Sequence, residues 1–299
     1  MLFLFSLNTS SAQTRRVAVT PLNFQLTSER GSRAGDFLTV YNPSYENEVD
    51  VEMSVEDIFP EGEEGRVILE APDEDQDAMA ISRWVNFEPS NFSLEPREQK
   101  DVRFTIDVPE EANPGGHYVG LIAETKGGQA DGTGVGINQR IASLVLLTVP
   151  GEMDESLSTV GFDTFESYYE YGPIGFEARF ENNGTVHLQP EATISIENIF
   201  GNEVAEIDVE RRNVLPGATR RLRAQWDETL LWGPVYNATI RGSYGSGYPI
   251  EQKTITFWVF PWKYGLAGLL VLFLFFLTRK RWITIIKILI FGEKALSGQ

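Results

Sequence analysis

The chain contains no cysteine. That excludes disulfide staples, thiolate metal sites and cysteine nucleophiles. Histidine is nearly missing too: His117 and His187 are the only two. A zinc site needs several ligands, and two imidazoles supply few. No GxSxG elbow surrounds any serine, so a serine triad has no local signature. Positive charge is scarce. The 299 residues carry 25 Lys or Arg against 43 Asp or Glu, a formal net charge of −18. Residues 261–299 hold six of those basic residues and one Glu. The first 260 residues therefore carry 19 basic and 42 acidic side chains, a net of −23. An acidic body argues against a nucleic-acid surface. Helical periodicity is absent from any long stretch before residue 257.

Long hydrophobic runs are absent as well, with one exception near the C-terminal end. From Phe257 the sequence reads "FWVFPWKYGLAGLLVLFLFFLTRKRW". The stretch from Trp258 to Thr278 is about 21 residues, enough to cross a hydrocarbon core of about 30 Å. Trp258, Trp262 and Tyr264 make an aromatic belt on one side, and Trp282 sits on the other. Arg279, Lys280 and Arg281 follow at once, which places that end in the cytoplasm and the acidic body outside. The expectation is a transmembrane helix over 259–278 and a basic cytoplasmic tail over 279–299. The tail's apolar run suits an interfacial helix, with Lys287 and Lys294 toward headgroups. At the other end, "MLFLFSLNTSSAQ" reads as the remnant of a secretory signal over residues 1–12, with small residues at Ser10, Ser11 and Ala12.

Short alternating segments fill the body. "FLTVYN" (37–42), "VDVEMSVEDIF" (49–59), "DVRFTIDV" (101–108), "HYVGLIAE" (117–124) and "RIASLVLLTV" (140–149) are rich in Val, Ile, Phe and Tyr. Pro, Gly, Asn and Asp separate them. This is the signature of an all-β sandwich. A second block repeats the first. "VEMSVEDIF" (51–59) aligns with "ATISIENIF" (192–200), which sets Ile58-Phe59 on Ile199-Phe200. The same offset brings Asn42 onto Asn183. "LEPREQKDVRFTI" (94–106) matches "VLPGATRRLRAQW" (214–226), and Tyr118 then falls on Tyr236. Ordered matches point to duplication. Two tandem immunoglobulin-like domains are expected, over 16–150 and 155–258, joined by "VPGEMDES" (149–156).

Few residues invite a chemical role. In "NPGGHYVGL" (113–121), Pro114, Gly115 and Gly116 suit a turn and His117 opens a strand. Alternation puts Tyr118, Gly120 and Ile122 on one face and His117, Val119, Leu121 and Ala123 on the other. His117 thus reads as a structural strand residue. Tyr118 and Tyr236 resemble tyrosine corners, whose hydroxyls bond back to the backbone. Trp84 reads as core, with a sugar-stacking platform beside Phe87 and Phe92 as the functional alternative. Asp73, Asp75 and Asp77 alternate as the first ligands of a calcium loop do. The sixth position is Ala78 and the twelfth Trp84, where such a loop needs Gly and Glu, so the segment reads as a solvated acidic loop. With so many carboxylates a glycosidase-like pair arises by number alone. The expectation is a binding protein and not an enzyme, with no cofactor and no small-molecule substrate.

Taken in order, these features resemble the WxL-interacting proteins of bacterial cell surfaces. The stretches that carry the likeness are "PLNFQLTSERGSRAGDFLTVYNPS" (21–44), "RWVNFEPSNFSLEPREQKDVRFTIDVP" (83–109), "PGGHYVGLI" (114–122) and the C-terminal apolar run. The resemblance implies a peptidoglycan-binding immunoglobulin-like domain, a second such domain, and one membrane span with a short basic tail. Its implied partners are cell-wall polymer or another envelope protein, with the bilayer holding the C-terminal span. An envelope assembly factor that takes client strands along a sheet edge is the second reading.

Overall fold

The structure is a computed structural model that describes residues 17–70, 81–126, 138–229 and 233–291. The proposed signal remnant lies outside the described residues. Ten strands form the first domain: β1 (Ala18–Thr20), β2 (Asn23–Thr27), β3 (Arg33–Tyr41), β4 (Val49–Glu61), β5 (Arg66–Glu70), β6 (Val85–Glu88), β7 (Asn91–Leu94), β8 (Gln99–Asp107), β9 (Gly115–Thr125) and β10 (Arg140–Val149). One sheet has the order β1-β3-β8-β6. The other runs β2-β10-β9-β4-β5, with β7 also on β4. The chain's first strand is split between the sheets, and β2 pairs β10 in parallel. This is the immunoglobulin-like arrangement of two facing, mainly antiparallel sheets.

Nine strands form the second domain: β11 (Leu157–Thr164), β12 (Tyr168–Tyr169), β13 (Ile174–Asn182), β14 (Glu191–Asn198), β15 (Glu203–Asp208), β16 (Thr219–Trp226), β17 (Val235–Tyr244), β18 (Tyr248–Pro249) and β19 (Lys253–Val259). The sheets are β11-β13-β16 and β12-β19-β17-β14-β15, with β18 on β17. The path is that of the first domain with the fourth strand of the smaller sheet left out. The fold class read from the sequence is the one observed: two tandem all-β sandwiches followed by one C-terminal helix.

Period-two alternation builds both cores. On β8, Val102, Phe104 and Ile106 are fully buried between exposed or half-buried neighbours, and on β16 Leu222, Ala224 and Trp226 take the equivalent places. Burying such side chains stabilises each sandwich by about 1.5–3 kcal/mol apiece. The duplication is therefore real in topology, but its register needs two corrections. The true counterpart of Asn42 is Asn182, not Asn183, because Asn42 and Asn182 are the fully buried pair and Asn183 is exposed. Tyr236 opposes Asn198 across the sheet, as Val119 opposes Asp57. Tyr236 thus matches Val119, a core-facing position, while Tyr118 points out of its sandwich.

Strand β19 ends at Val259, and α1 (Trp262–Phe291) begins after only Phe260 and Pro261. Its Trp262–Arg279 portion is long and apolar enough to cross a membrane. The helix continues unbroken through Arg279, Lys280 and Arg281 to Phe291. The separate helix expected after the basic cluster is instead, through Phe291, a continuation of α1.

Candidate functional site

The two domains meet end to end, and the contacts come from three places. The turn between β4 and β5 reaches across to the smaller sheet of the second domain. Glu63 accepts hydrogen bonds from Arg179 Nε (2.9 Å) and Arg221 Nη2 (3.1 Å), and its carbonyl accepts from the Arg221 backbone N–H (2.8 Å). Glu64 takes both its oxygens to Arg223 Nη2 at 3.0 Å. The Arg179 hydrogen bond, above all, holds the Glu63 carboxyl below its ordinary range, with Arg221 adding to it against the cost of burial. The same contact raises Arg179. These side chains are partly exposed, so we expect Glu63→Ala to cost roughly 1 kcal/mol of domain coupling and leave each domain folded. Spin labels on the two domains, read by double electron–electron resonance, should then show a broader distance distribution. About 0.5 M salt should broaden it likewise.

The second contact is the start of β9. The Gly116 N–H donates to the Thr185 carbonyl at 2.8 Å. A side chain at Gly115 would meet that same carbonyl at 2.6 Å. The glycine pair read as a loop turn is the opening of a strand pressed against the neighbouring domain. Beside it, the Tyr118 hydroxyl lies 3.3 Å from His187 Nδ1, with the rings edge to face. Burial drives the Tyr118 phenol upward, which the contact with His187 opposes, and burial lowers His187. The tyrosine-corner expectation is corrected here: Tyr118 bonds across the domain boundary because it sits on the outer face of its sheet. Tyr236 packs inside its own domain, against Trp226 and stacked on Phe257.

The third place is a cleft of about 280 Å³ between the domains. Its floor is apolar: Ile58, Tyr118 and Leu146 form a small cluster with Val67, Leu144 and, from the second domain, Leu215. Its rim is cationic, with Arg66 on β5 and Arg211, Arg212 and Arg220 from the second domain. Arg211 is paired with Glu191 at 2.7 Å and Arg212 with Glu210 at 3.5 Å. Arg66 and Arg220 have no acidic ion-pair partner among the described residues. Arg220 lies over the backbone of Gly65, where an added Cβ would meet its guanidinium at 2.3 Å. It donates to the Asn213 carbonyl. Burial first, and the charge of Arg212 next, lower its pKa, while Glu210 acts the other way. This half-buried guanidinium, with one carbonyl acceptor and no ion pair among the described residues, keeps donors free for a further partner. An anionic group entering the cleft would be such a partner.

The other sequence candidates are placed elsewhere. His117 is 2% exposed, its Nε2 bonds the Asn113 carbonyl at 2.8 Å, and its ring lies against Trp84 at 5.1 Å. His117 and His187 therefore do different jobs on opposite faces of β9. Trp84 lies in a 3₁₀ turn, half-buried against the first core, and is joined there by Phe87 and Phe92. Asp57 anchors that turn, accepting from the Ile81 and Ser82 backbone and from the Ser82 hydroxyl at 2.7 Å. Asp73, Asp75 and Asp77 lie outside the described residues. Among the described residues no group of His, Asp and Glu is placed to hold a metal ion. Sequence reading missed the cleft arginines. A signal was there: Arg211, Arg212, Arg220, Arg221 and Arg223 fall within thirteen residues of a chain otherwise poor in positive charge.

Fold and site together define a two-sandwich protein with a cationic cleft at its domain junction and a helix able to span a membrane. No protein-family model matches the chain, and no curated protein matches it. Solved structures with a similar path include the class 5 fimbriae chaperone CfaA, at 15% identity over 82% of this chain and 100% of that one, TM-score 0.42. The Salmonella enterica SafA pilin in complex with the SafB chaperone matches at 12% identity, over 82% and 98%, TM-score 0.39. The E. coli chaperone DraB matches at 14%, over 82% and 98%, TM-score 0.38. A likeness at this level says nothing of this chain's partner.

Proposed function

We propose that the chain is a membrane-anchored envelope protein that binds an extracytoplasmic partner through its interdomain cleft. The helix anchors it, and Arg279, Lys280 and Arg281 set its C-terminal end on the cytoplasmic side. The observation that carries the reading is the pair Arg66 and Arg220, which have no acidic ion-pair partner among the described residues, facing a cleft in a body of net charge −23. Cationic side chains lining a cleft with an apolar floor suit an anionic group of the partner. Cell-wall polymers bear carboxylates and phosphates, and the resemblance to WxL-interacting proteins supports a wall or surface-protein partner. The work is binding and scaffolding, with no turnover.

A second reading has one observation behind it. Strand β2 pairs β10 only over residues 144–148, while β9 pairs all of β10. Among the described residues, 140–142 have a paired strand on one side alone, with the segment 17–22 held alongside through Val17 to Gln139 and Ser143 to the Pro21 carbonyl. That edge would accept a client strand. The full chain in detergent, offered purified wall sacculi, should sediment with them and be released as salt rises, without effect of chelator. Sedimentation absent, together with capture of one envelope protein by β10-edge contact, would replace the wall reading by the second.

A further inference from the structure

We propose that the end of the second domain nearest the helix is itself a membrane-seating surface, with three separate segments resting in the headgroup layer of the bilayer. This rests on the membrane-anchor reading and goes beyond it, since an anchor alone leaves the domain free to stand off on its stalk.

Strand direction puts the segments at one end. β14 and β19 each run antiparallel to β17, so both advance toward the helix. β12 runs parallel to β19, with Tyr168 beside Trp258. In and around these strand ends lie exposed apolar side chains. Phe165 and Tyr171 are at the first segment, Ile199 and Phe200 at the tip after β14, and Trp258 and Phe260 at the third, each more than half exposed. Phe200, at 81%, is the most exposed large hydrophobic residue of the body described. A soluble surface rarely gathers such residues on one end. Aromatic rings with apolar bodies are at home at the level of lipid headgroups.

The link to the helix leaves little choice of height. Two residues separate β19 from α1, a reach of at most about 11 Å for three virtual bonds. The polar layer on each side of the hydrocarbon is roughly 5–8 Å thick. The first segment is also tied to the helix start: Phe260 N–H donates to the Tyr169 carbonyl at 2.8 Å, the Tyr168 hydroxyl donates to the Phe260 carbonyl, and Lys263 bridges Glu170 at 2.8 Å. The Lys263 pair neutralises a carboxylate that would oppose seating.

The duplication makes the contrast internal. Ile58-Phe59 in the first domain lies within β4, with Ile58 buried toward the domain junction, because β4 runs on to Glu61. The same dipeptide in the second domain falls past the end of β14 and is left bare. One domain's hairpin end meets a protein neighbour, and the other's meets lipid.

The absence of native cysteine makes the test direct. Asn202→Cys, beside the tip and leaving Phe200 in place, would carry an NBD fluorophore on the full chain reconstituted in phosphatidylcholine–phosphatidylglycerol vesicles. Tyr45→Cys, in the loop before β4 at the opposite end of the molecule, would carry it in the control. Seating predicts blue-shifted emission at position 202, most of it lost to a headgroup-level spin-labelled lipid, and aqueous, unquenched emission at position 45. Adding Ile199→Ser and Phe200→Ser should return the 202 label to aqueous emission. A chain that floats with the vesicles while its 202 label stays aqueous overturns the seating and leaves the anchor. A chain that fails to float overturns both.

Discussion

Replacing Asn182 with alanine lowers the stability of the second domain by about 3 kcal/mol, while Asn183→Ala changes it by less than about 0.5 kcal/mol. The difference follows from where the amide points. Asn182 Nδ2 donates to the Val186 and Val214 carbonyls, both at 2.8 Å, and its Oδ1 accepts from the Gly184 N–H at 2.9 Å. The side chain is fully buried, so alanine leaves the Val186 carbonyl and the Gly184 N–H without a partner and the Val214 carbonyl with the Leu188 N–H alone. Each orphan costs about 1–3 kcal/mol, reduced by relaxation of the loop. Asn42 does the same work in the first domain, donating to the Asn47, Leu94 and Glu95 carbonyls and accepting from Ser44. Asn42→Ala should cost the same amount there. Urea unfolding of the full chain in detergent checks both, because Trp84 is the only tryptophan of the first domain and Trp226 reports on the second. Equal effects of Asn182→Ala and Asn183→Ala would show the amide to be dispensable.

That pair also shows how far the sequence could be read. Alternation was legible because one face of each strand had to be apolar. The split of β9 into His117, Val119, Leu121 and Ala123 on one face and Tyr118 on the other is the split observed. The exact register of the repeat was not legible. Asn182 and Asn183 are adjacent and chemically identical, and only the closing loop decides which is buried. Tyr118 and Tyr236 both lie near the start of apolar strands, yet one residue of slip reverses a side chain's face. Tyr118 also needs a neighbour that no local pattern supplies, since His187 belongs to the other domain. The cleft lay furthest from view. Arg66 and Arg220 are brought together by the β4–β5 turn docking on the second domain, and the carboxylates that hold that turn, Glu63 and Glu64, look like any acidic loop in a chain this acidic.

Reversing both cleft charges, with Arg66→Glu and Arg220→Glu, should weaken binding to wall sacculi at least about 100-fold. A charge-assisted hydrogen bond contributes about 1.5–3 kcal/mol, and about 1.4 kcal/mol is a factor of ten. Two lost contacts and two new repulsions therefore exceed two decades. Arg30→Glu, on an exposed loop of the first domain, should change binding less than about two-fold, because an exposed charge at that distance is screened. Loss of folding does not account for such a result. Burial and Arg212 both act against the charged form of Arg220, while Glu210 acts the other way. Reversal does more than remove a charge, so Arg220→Gln, which can still donate to the Asn213 carbonyl, is the folding control: its unfolding midpoint should hold while binding falls. Binding retained at full strength in the double variant would remove the cleft from the function and leave the β10 edge to carry it. Binding lost together with the unfolding transition would show instead that the arginines serve the domain junction, as Arg179 and Arg221 do through Glu63.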